Sequence, residues 1–97
     1  MGGRNRAFSY LERTRKFDKS FLRLGSEAQD QCADALEQLI EEPLAPGLHL
    51  KPIRPNNKFW EARINTGERI ILLPHGSMAY VMDVVKHDDI KRWGSTK

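Results

Sequence analysis

The sequence FWEARINTGERIILL, at residues 59–73, has the pattern of a β-hairpin. Residues 59–65 alternate between two faces, with Trp60, Ala62 and Ile64 on one of them, which is typical of a half-buried strand. Thr66-Gly67 supplies the glycine that a tight turn requires. Residues 68–73 contain the continuous apolar run IILL at 70–73, as expected for a strand buried on both faces. The stretch therefore predicts two antiparallel strands joined by a turn.

Strands are also predicted on either side of this hairpin. Residues 78–86 alternate after a turn at residues 74–77, and residues 7–13 alternate near the start of the chain. Residues 44–58, which follow Pro43 and precede the hairpin, are predicted to be irregular, because they contain three prolines and proline suits neither a helix nor a central strand.

Two amphipathic helices are predicted between residues 14 and 43. Thr14 is expected to cap the first helix, and Gly25 to end it in the left-handed conformation. Ser26 and Gln29 form the pattern of a capping box at the start of the second helix. Pro43 ends this helix, because the residue before a proline avoids the α region.

The element order β-α-α-β-β-β predicts an α+β fold, with a helical hairpin packed on one face of a small, mostly antiparallel sheet. We expect one domain over residues 1–97, since a second core needs about 50 residues of its own. Within it, residues 1–6 are expected to be frayed and residues 94–97 to form a tail.

Composition excludes several classes of protein. No apolar run approaches the roughly 18 residues of a membrane span, and no apolar segment follows the basic N-terminus as in a secretory signal. The single cysteine, Cys32, excludes a disulfide framework and a cysteine-cluster zinc site, and its place on an apolar helix stripe predicts a buried thiol. We therefore expect a cytoplasmic protein with no membrane partner.

The net charge of +3 is unevenly distributed along the chain. Residues 1–25 carry a net charge of +5, residues 26–42 carry −6, and residues 43–97 carry +4. A folded domain of this kind can present a basic face to a polyanion and an acidic face away from it. The alternative is that these charges are simply solvated.

Strand parity predicts which side chains share a face of the sheet. The residues expected to pack under the helices are Trp60, Ile64, Ile70, Leu72, Tyr80, Met82 and Val84. Arg63, Arg69 and His87 then project together from the opposite, uncovered face. Lys51 and Arg54 could reach the same surface, and Phe59 is the better candidate there for stacking on a base.

The sequence predicts no metal site and no cofactor. The three histidines, at positions 49, 75 and 87, lack the local spacing of zinc ligands, although assembly in space stays open. The acids of His87-Asp88-Asp89 are interpreted as helix caps.

Four segments together, spanning residues 8–93, resemble the RelE/ParE superfamily of toxins from bacterial type II toxin–antitoxin systems. They are the helical hairpin that begins at residue 16, PLAPGLHLKP at residues 43–52, FWEARI with the following RII at 69–71, and VVKHDD with Trp93. The HDD…W ending is similar to that of some members of the RelE-like mRNA interferase branch.

This resemblance implies a ribosome-dependent mRNA endonuclease that acts without a metal, with a cognate antitoxin, the ribosome and mRNA as partners and a toxin–antitoxin hetero-oligomer as a possible assembly. It places Arg69 at the scissile phosphate, matches His87 to a residue that acts there, and matches Lys51 to a family lysine. The chain has Leu48-His49 where some histidine-bearing relatives have a carboxylate, and Asp88 where some have a tyrosine. Other relatives poison DNA gyrase, so a gyrase poison or a non-nucleolytic binding protein is the alternative.

The side chains themselves suggest how the RNA would be cut. Attack by a 2′-hydroxyl needs a base, an acid for the leaving oxygen, and cations for the transition-state charge. His87 is the candidate acid or base, and Arg69 and Arg63 are the candidate stabilisers of charge. The second proton-transfer group stays open among Glu61, Asp88, His49 and a ribosomal group. The candidate RNA-binding residues are Lys51, Arg54, Lys58, Phe59 and Lys86.

Overall fold

A computed structural model of the chain describes residues 8–43 and 45–95. Its elements are β1 (Tyr10–Arg13), α1 (Arg15–Arg23), α2 (Ser26–Glu41), β2 (Lys51–Pro52), β3 (Trp60–Arg63), β4 (Glu68–His75), β5 (Met78–Lys86) and α3 (Ile90–Gly94). Two 3₁₀ turns lie at Pro46–Leu48 and His87–Asp89. The fraying expected at residues 1–6 lies outside the described residues. Among the described helices, none is long and apolar enough to cross a membrane.

The five strands form one mixed sheet in the order β1-β5-β4-β3-β2. β1 pairs in parallel with β5, and the other neighbours are antiparallel. The predicted α+β class and the mostly antiparallel sheet are confirmed. The stretch expected to be wholly irregular, residues 44–58, contains the two-residue strand β2, which pairs with β3. Proline is tolerated there because β2 is an edge strand.

The start of α1 is tied to the sheet by Thr14. Its hydroxyl accepts a hydrogen bond from the backbone N–H of Phe17 at 3.2 Å, as a helix cap does, and donates to the carbonyl of Val81 at 2.8 Å. The predicted cap is confirmed. The second bond fixes the position of the helical hairpin relative to β5.

The connection between α1 and α2 differs from the prediction. Gly25 has φ −67° and ψ 164°, so it is extended rather than left-handed, and it is itself the N-cap of α2. The predicted capping box at Ser26 is therefore wrong. The side chain of Gln29 donates instead to the carbonyl of Phe21 at 3.0 Å. This bond satisfies a carbonyl in the last turn of α1 and joins the two helices.

The main core lies between the helices and one face of the sheet. Its buried members are Phe8, Phe17, Cys32, Ala35, Leu39, Leu48, Ala62, Ile70, Leu72, Ala79, Val81 and Val84. Trp60 and Ile64 are partly buried against it. Five of the seven residues expected under the helices are confirmed there.

The prediction is wrong for the other two residues, Tyr80 and Met82. Both lie on the opposite face because β5 contains a bulge. Ile71 pairs with Asp83 and Leu72 pairs with Val81, so Met82 is an extra residue in the ladder. An extra residue reverses the alternation of side chains along the rest of the strand. Val81 therefore faces the helices, whereas Met82 packs on the opposite face and Tyr80 is 36% exposed.

A second, smaller core covers part of the face that was expected to be open. Ile53, Phe59, Ile71 and Ile90 are buried in it, because α3 folds back over the sheet. The ring of Phe59 contacts that of Trp93 edge-on, with centroids 4.8 Å apart. Gly94 was assigned to the tail, but it is the buried last residue of α3, and an added Cβ would collide with the carbonyl oxygen of Arg54.

Candidate active site

A cleft of about 570 Å³ opens on the side of the sheet opposite α1 and α2, beside α3. Its walls are formed by His49, Lys51, Ile53, Arg54, Glu61, Arg69, His87, Asp88, Ile90 and Lys91. Four of these side chains are permanent cations and two are carboxylates. The cleft thus has the charge that would attract a phosphate backbone.

Three neighbouring strands supply the floor of the cleft. Lys51 on β2 pairs with Glu61 on β3, and Glu61 pairs in turn with Ile71 on β4. Cross-strand partners project from the same face of a sheet. Arg69 is two residues from Ile71 on β4, so its side chain also projects from that face. The parity argument for Arg69 is therefore confirmed.

Arg69 is held by the turn that precedes its strand. Its Nη1 donates to the carbonyl oxygens of Asn65 at 2.8 Å, Thr66 at 3.2 Å and Glu68 at 3.0 Å. Its Nε lies 3.6 Å from Oε1 of Glu61, and the Arg69 side chain is 12% exposed. Burial lowers the pKa of the Arg69 guanidinium, Glu61 opposes that shift, and Arg63 adds to it.

His87 lies directly after β5, beside the same turn. Its backbone N–H donates to the carbonyl of Gly67 at 2.8 Å. Its side chain is 60% exposed, with Nδ1 3.9 Å from Oδ1 of Asp88. Because the turn at residues 65–68 binds both the Arg69 guanidinium and the backbone of His87, it fixes the guanidinium relative to that backbone.

The structure does not bring every predicted residue into the cleft. Arg63 shares the face of Arg69, its cross-strand partner, but its Nη2 lies 3.4 Å from the Thr66 hydroxyl and its side chain is not part of the cleft wall. Lys58 and Lys86 are also outside the wall. Phe59 is 5% exposed and packs in the second core, so the expectation that its ring stacks on a base is wrong.

Lys91 is a cleft residue that the sequence reasoning missed. The sequence feature that could have predicted it is its position four residues after His87, since residues at that spacing in a helix are neighbours. The three protein groups left open as a second acid or base, Glu61, Asp88 and His49, all line the cleft.

The thiol of Cys32 is not part of the cleft wall. Cys32 is fully buried in the main core, and its pKa is raised to about 12 by burial and then by the nearby charge of Glu68. The prediction of a buried thiol is confirmed. Within residues 8–43 and 45–95, no group of three or more His, Cys, Asp or Glu side chains could hold a metal ion.

The likeness to known proteins lies in the fold. No family model and no curated protein matches the sequence. Among solved structures, the RelBE2 toxin–antitoxin complex of Mycobacterium tuberculosis contains a chain that is 16% identical, with a TM-score of 0.66 over 81% of this chain and 98% of that one. YafQ from Escherichia coli is 13% identical, with a TM-score of 0.66 over 82% of this chain and 94% of its own. A YoeB/ParE toxin from Agrobacterium tumefaciens is 17% identical, with a TM-score of 0.63 over 80% and 98%. This chain therefore has the fold of the RelE/ParE-type toxins.

Proposed function

We propose that this chain is the toxin of a toxin–antitoxin system and that it cleaves mRNA on the ribosome. The observation that carries the proposal is the meeting of Arg69, Lys51 and His87 in one cationic cleft. The toxins of similar fold support the broader assignment, and two of them were solved as toxin–antitoxin complexes, RelBE2 and DinJ–YafQ. An antitoxin is therefore the expected protein partner, and the cytoplasm the expected location.

The proposed reaction is a transfer within the RNA chain. The 2′-oxygen loses its proton and attacks the neighbouring phosphorus, and the bond from phosphorus to the 5′-oxygen breaks. The products are a 2′,3′-cyclic phosphate and a 5′-hydroxyl that has gained a proton. An imidazole can donate or accept a proton near neutral pH, and the exposed His87 ring is open to such a substrate.

The cations of the cleft supply binding and charge stabilisation. A guanidinium stays ionised and offers several N–H groups to phosphate oxygens, so Arg69 suits the charge that builds up on the attacked phosphate. Lys51, Arg54 and Lys91 line the walls around it and suit the flanking phosphates. Such contacts would bind the RNA backbone.

A second proton-transfer group comes from Glu61, Asp88, His49 or the ribosome. A site that takes its substrate already positioned by the ribosome can work with weak acid–base help. Orientation alone can supply roughly 7–11 kcal/mol of the barrier. This explains why we propose the ribosome-bound message, and not free RNA, as the substrate.

Primer extension on a message held by translating ribosomes tests the proposal. The protein should cut at discrete positions in the ribosomal A site and cut free RNA far less, with EDTA having no effect. His87→Gln should lower cleavage by about 10²–10⁴-fold while leaving the fold intact. His75→Gln is the matched control, because His75 is an exposed histidine at the other end of β4, outside the cleft wall.

Two results would contradict the proposal. Intact message at doses that stop growth, with linear DNA in a gyrase cleavage assay, would identify a gyrase poison. Intact message and intact DNA would identify a binding protein without nuclease activity.

A further inference from the structure

Glu61 is a buried carboxylate in the floor of a cleft that otherwise has the charge to bind phosphates. The residue is 8% exposed. Lys51 is its cross-strand partner on β2, and its Oε1 lies 3.6 Å from Nε of Arg69 on β4. A negative charge therefore lies between two cations that the proposed function assigns to the RNA backbone.

This placement opposes substrate binding. A carboxylate repels an approaching phosphate, and its removal from water is unfavourable unless a partner compensates. For RNA binding alone, an uncharged side chain at this position would serve better. The carboxylate must therefore be explained by what it does to its neighbours.

Arg69 is the neighbour that needs an opposing charge. Its cross-strand partner is Arg63, and like charges directly opposite each other in a sheet are destabilising. Burial and Arg63 both lower the pKa of Arg69, whereas Glu61 raises it. Without Glu61, a largely buried guanidinium would face a like charge with backbone carbonyls as its remaining described partners.

The geometry also leaves Arg69 able to bind. At 3.6 Å, the contact between Nε and Oε1 is longer than a hydrogen bond, so Glu61 attracts the guanidinium without taking up its Nε–H group. Three backbone carbonyls hold Nη1 at the other corner. The guanidinium plane is thus fixed at two points before substrate arrives.

We propose that Glu61 is a positioning residue that orients Arg69 for the transition state and weakens RNA binding in doing so. The catalytic half of this inference rests on the proposed nuclease function. The structural half, the orientation of Arg69, does not.

Glu61→Gln in the full chain tests both halves. Binding of a 2′-deoxy-substituted, uncleavable RNA oligonucleotide should become about three- to tenfold tighter, because one repelling charge is removed. Single-turnover cleavage on the ribosome should become about 10- to 100-fold slower, because Arg69 is no longer held in place. Glu37→Gln is the matched control, since it removes the same charge from an exposed position on α2, on the other side of the sheet, and should change neither quantity.

An NMR measurement makes the test independent of activity. The order parameter of the Arg69 Nε–H bond, measured by 15N relaxation, should be lower in Glu61→Gln than in the wild type, because the guanidinium has lost one of its two fixed points. An unchanged order parameter would overturn the proposal, and so would weaker RNA binding by the folded variant. Slower cleavage with an unchanged order parameter and unchanged binding would also overturn it, since Glu61 would then act on the proton itself. If wild-type protein cut no message, the order parameter and the binding result would still decide the role of Glu61.

Discussion

Arg69 contributes to the fold as well as to the candidate site. Its Nη1 donates to three carbonyls of the turn at residues 65–68, and its departure would leave Glu61 buried without its ionic partner on β4. Breaking a buried pair by removing one partner is costly. A loss of toxicity in an Arg69 variant therefore has two physical origins that must be measured separately.

We expect the wild-type chain, expressed alone, to arrest bacterial growth and Arg69→Ala to relieve the arrest. Arg69→Ala should also lower the free energy of unfolding by about 2–4 kcal/mol, as measured by urea denaturation. Lys19→Gln is the matched control, because Lys19 is exposed on α1, outside the cleft wall, and should leave the arrest in place and change stability by no more than about 0.5 kcal/mol. Normal growth on induction of folded wild-type protein would contradict the toxin function.

Cys32 provides a prediction that does not depend on activity. With its pKa raised to about 12, the thiol should resist alkylation at pH 8 in the folded protein and react fully in urea. The folded state keeps the proton that the unfolded thiol loses near pH 9, so the free energy of unfolding should fall as pH rises from about 9 to 12. The fall reaches at most about 1.4 kcal/mol per pH unit.

Cys32→Ala isolates this effect, because it lacks the titrating group. The difference between the two proteins in urea denaturation should shrink as pH rises through that window. A difference that stays constant with pH would show that the thiol is not shielded.

For single residues, the alternation of side chains along a strand predicted the correct face for Arg69, because β3 and β4 pair without a bulge between Arg63 and Arg69. It failed for Phe59. The burial of that ring depends on Trp93, 34 positions away, and no local pattern encodes a helix folding back.

Among the elements, β5 shows what sequence periodicity can and cannot predict. The predicted bounds, Met78 and Lys86, are those observed. The bulge at Met82 was missed because it is a property of the pairing between β4 and β5, and each strand alternates acceptably by itself. β2 was missed for a related reason, since two residues carry no periodicity.

The short helix α3 depends on a close approach at Gly94. In Gly94→Ala the new methyl group would collide with the Arg54 carbonyl, so α3 should shift away from the sheet and unfolding should become easier by about 1–3 kcal/mol. Urea denaturation followed by tryptophan fluorescence reports this, because Trp93 packs on Phe59. Gly47→Ala is the control, since nothing lies within 4 Å of its added Cβ.

Equal stability of the two glycine variants would contradict the close packing of α3. A shifted α3 also moves Ile90 and Lys91, so Gly94→Ala should weaken RNA binding more than Gly47→Ala does.

For the whole molecule, charge is divided between two sides of the sheet. The exposed face of α2 carries acids, and the cleft on the other side carries cations. We expect an antitoxin to cover the cleft with an acidic or amphipathic segment that folds on binding. Lys51→Glu with Arg54→Glu should weaken that complex at least tenfold, and added salt should weaken the wild-type complex.

The control is Glu37→Lys on α2, which should leave the affinity for the antitoxin within about twofold. A complex in which the antitoxin contacts only α2 and leaves the cleft open would contradict this view of inhibition.

Because β1 pairs with β5, the sheet of a newly made chain cannot be completed until β5 has been synthesised. The hydroxyl of Ser9, just before β1, donates a hydrogen bond to the carbonyl of Ser77, just before β5 and 68 positions later in the sequence. At synthesis rates of about 5–20 residues per second, those positions take roughly 3–14 s to be added. During that interval α1 and α2 have no complete sheet to cover, and the turn that orients Arg69 has no His87 beside it. A ribosome that makes this protein must therefore add residue 87 before the groups of the candidate site can meet.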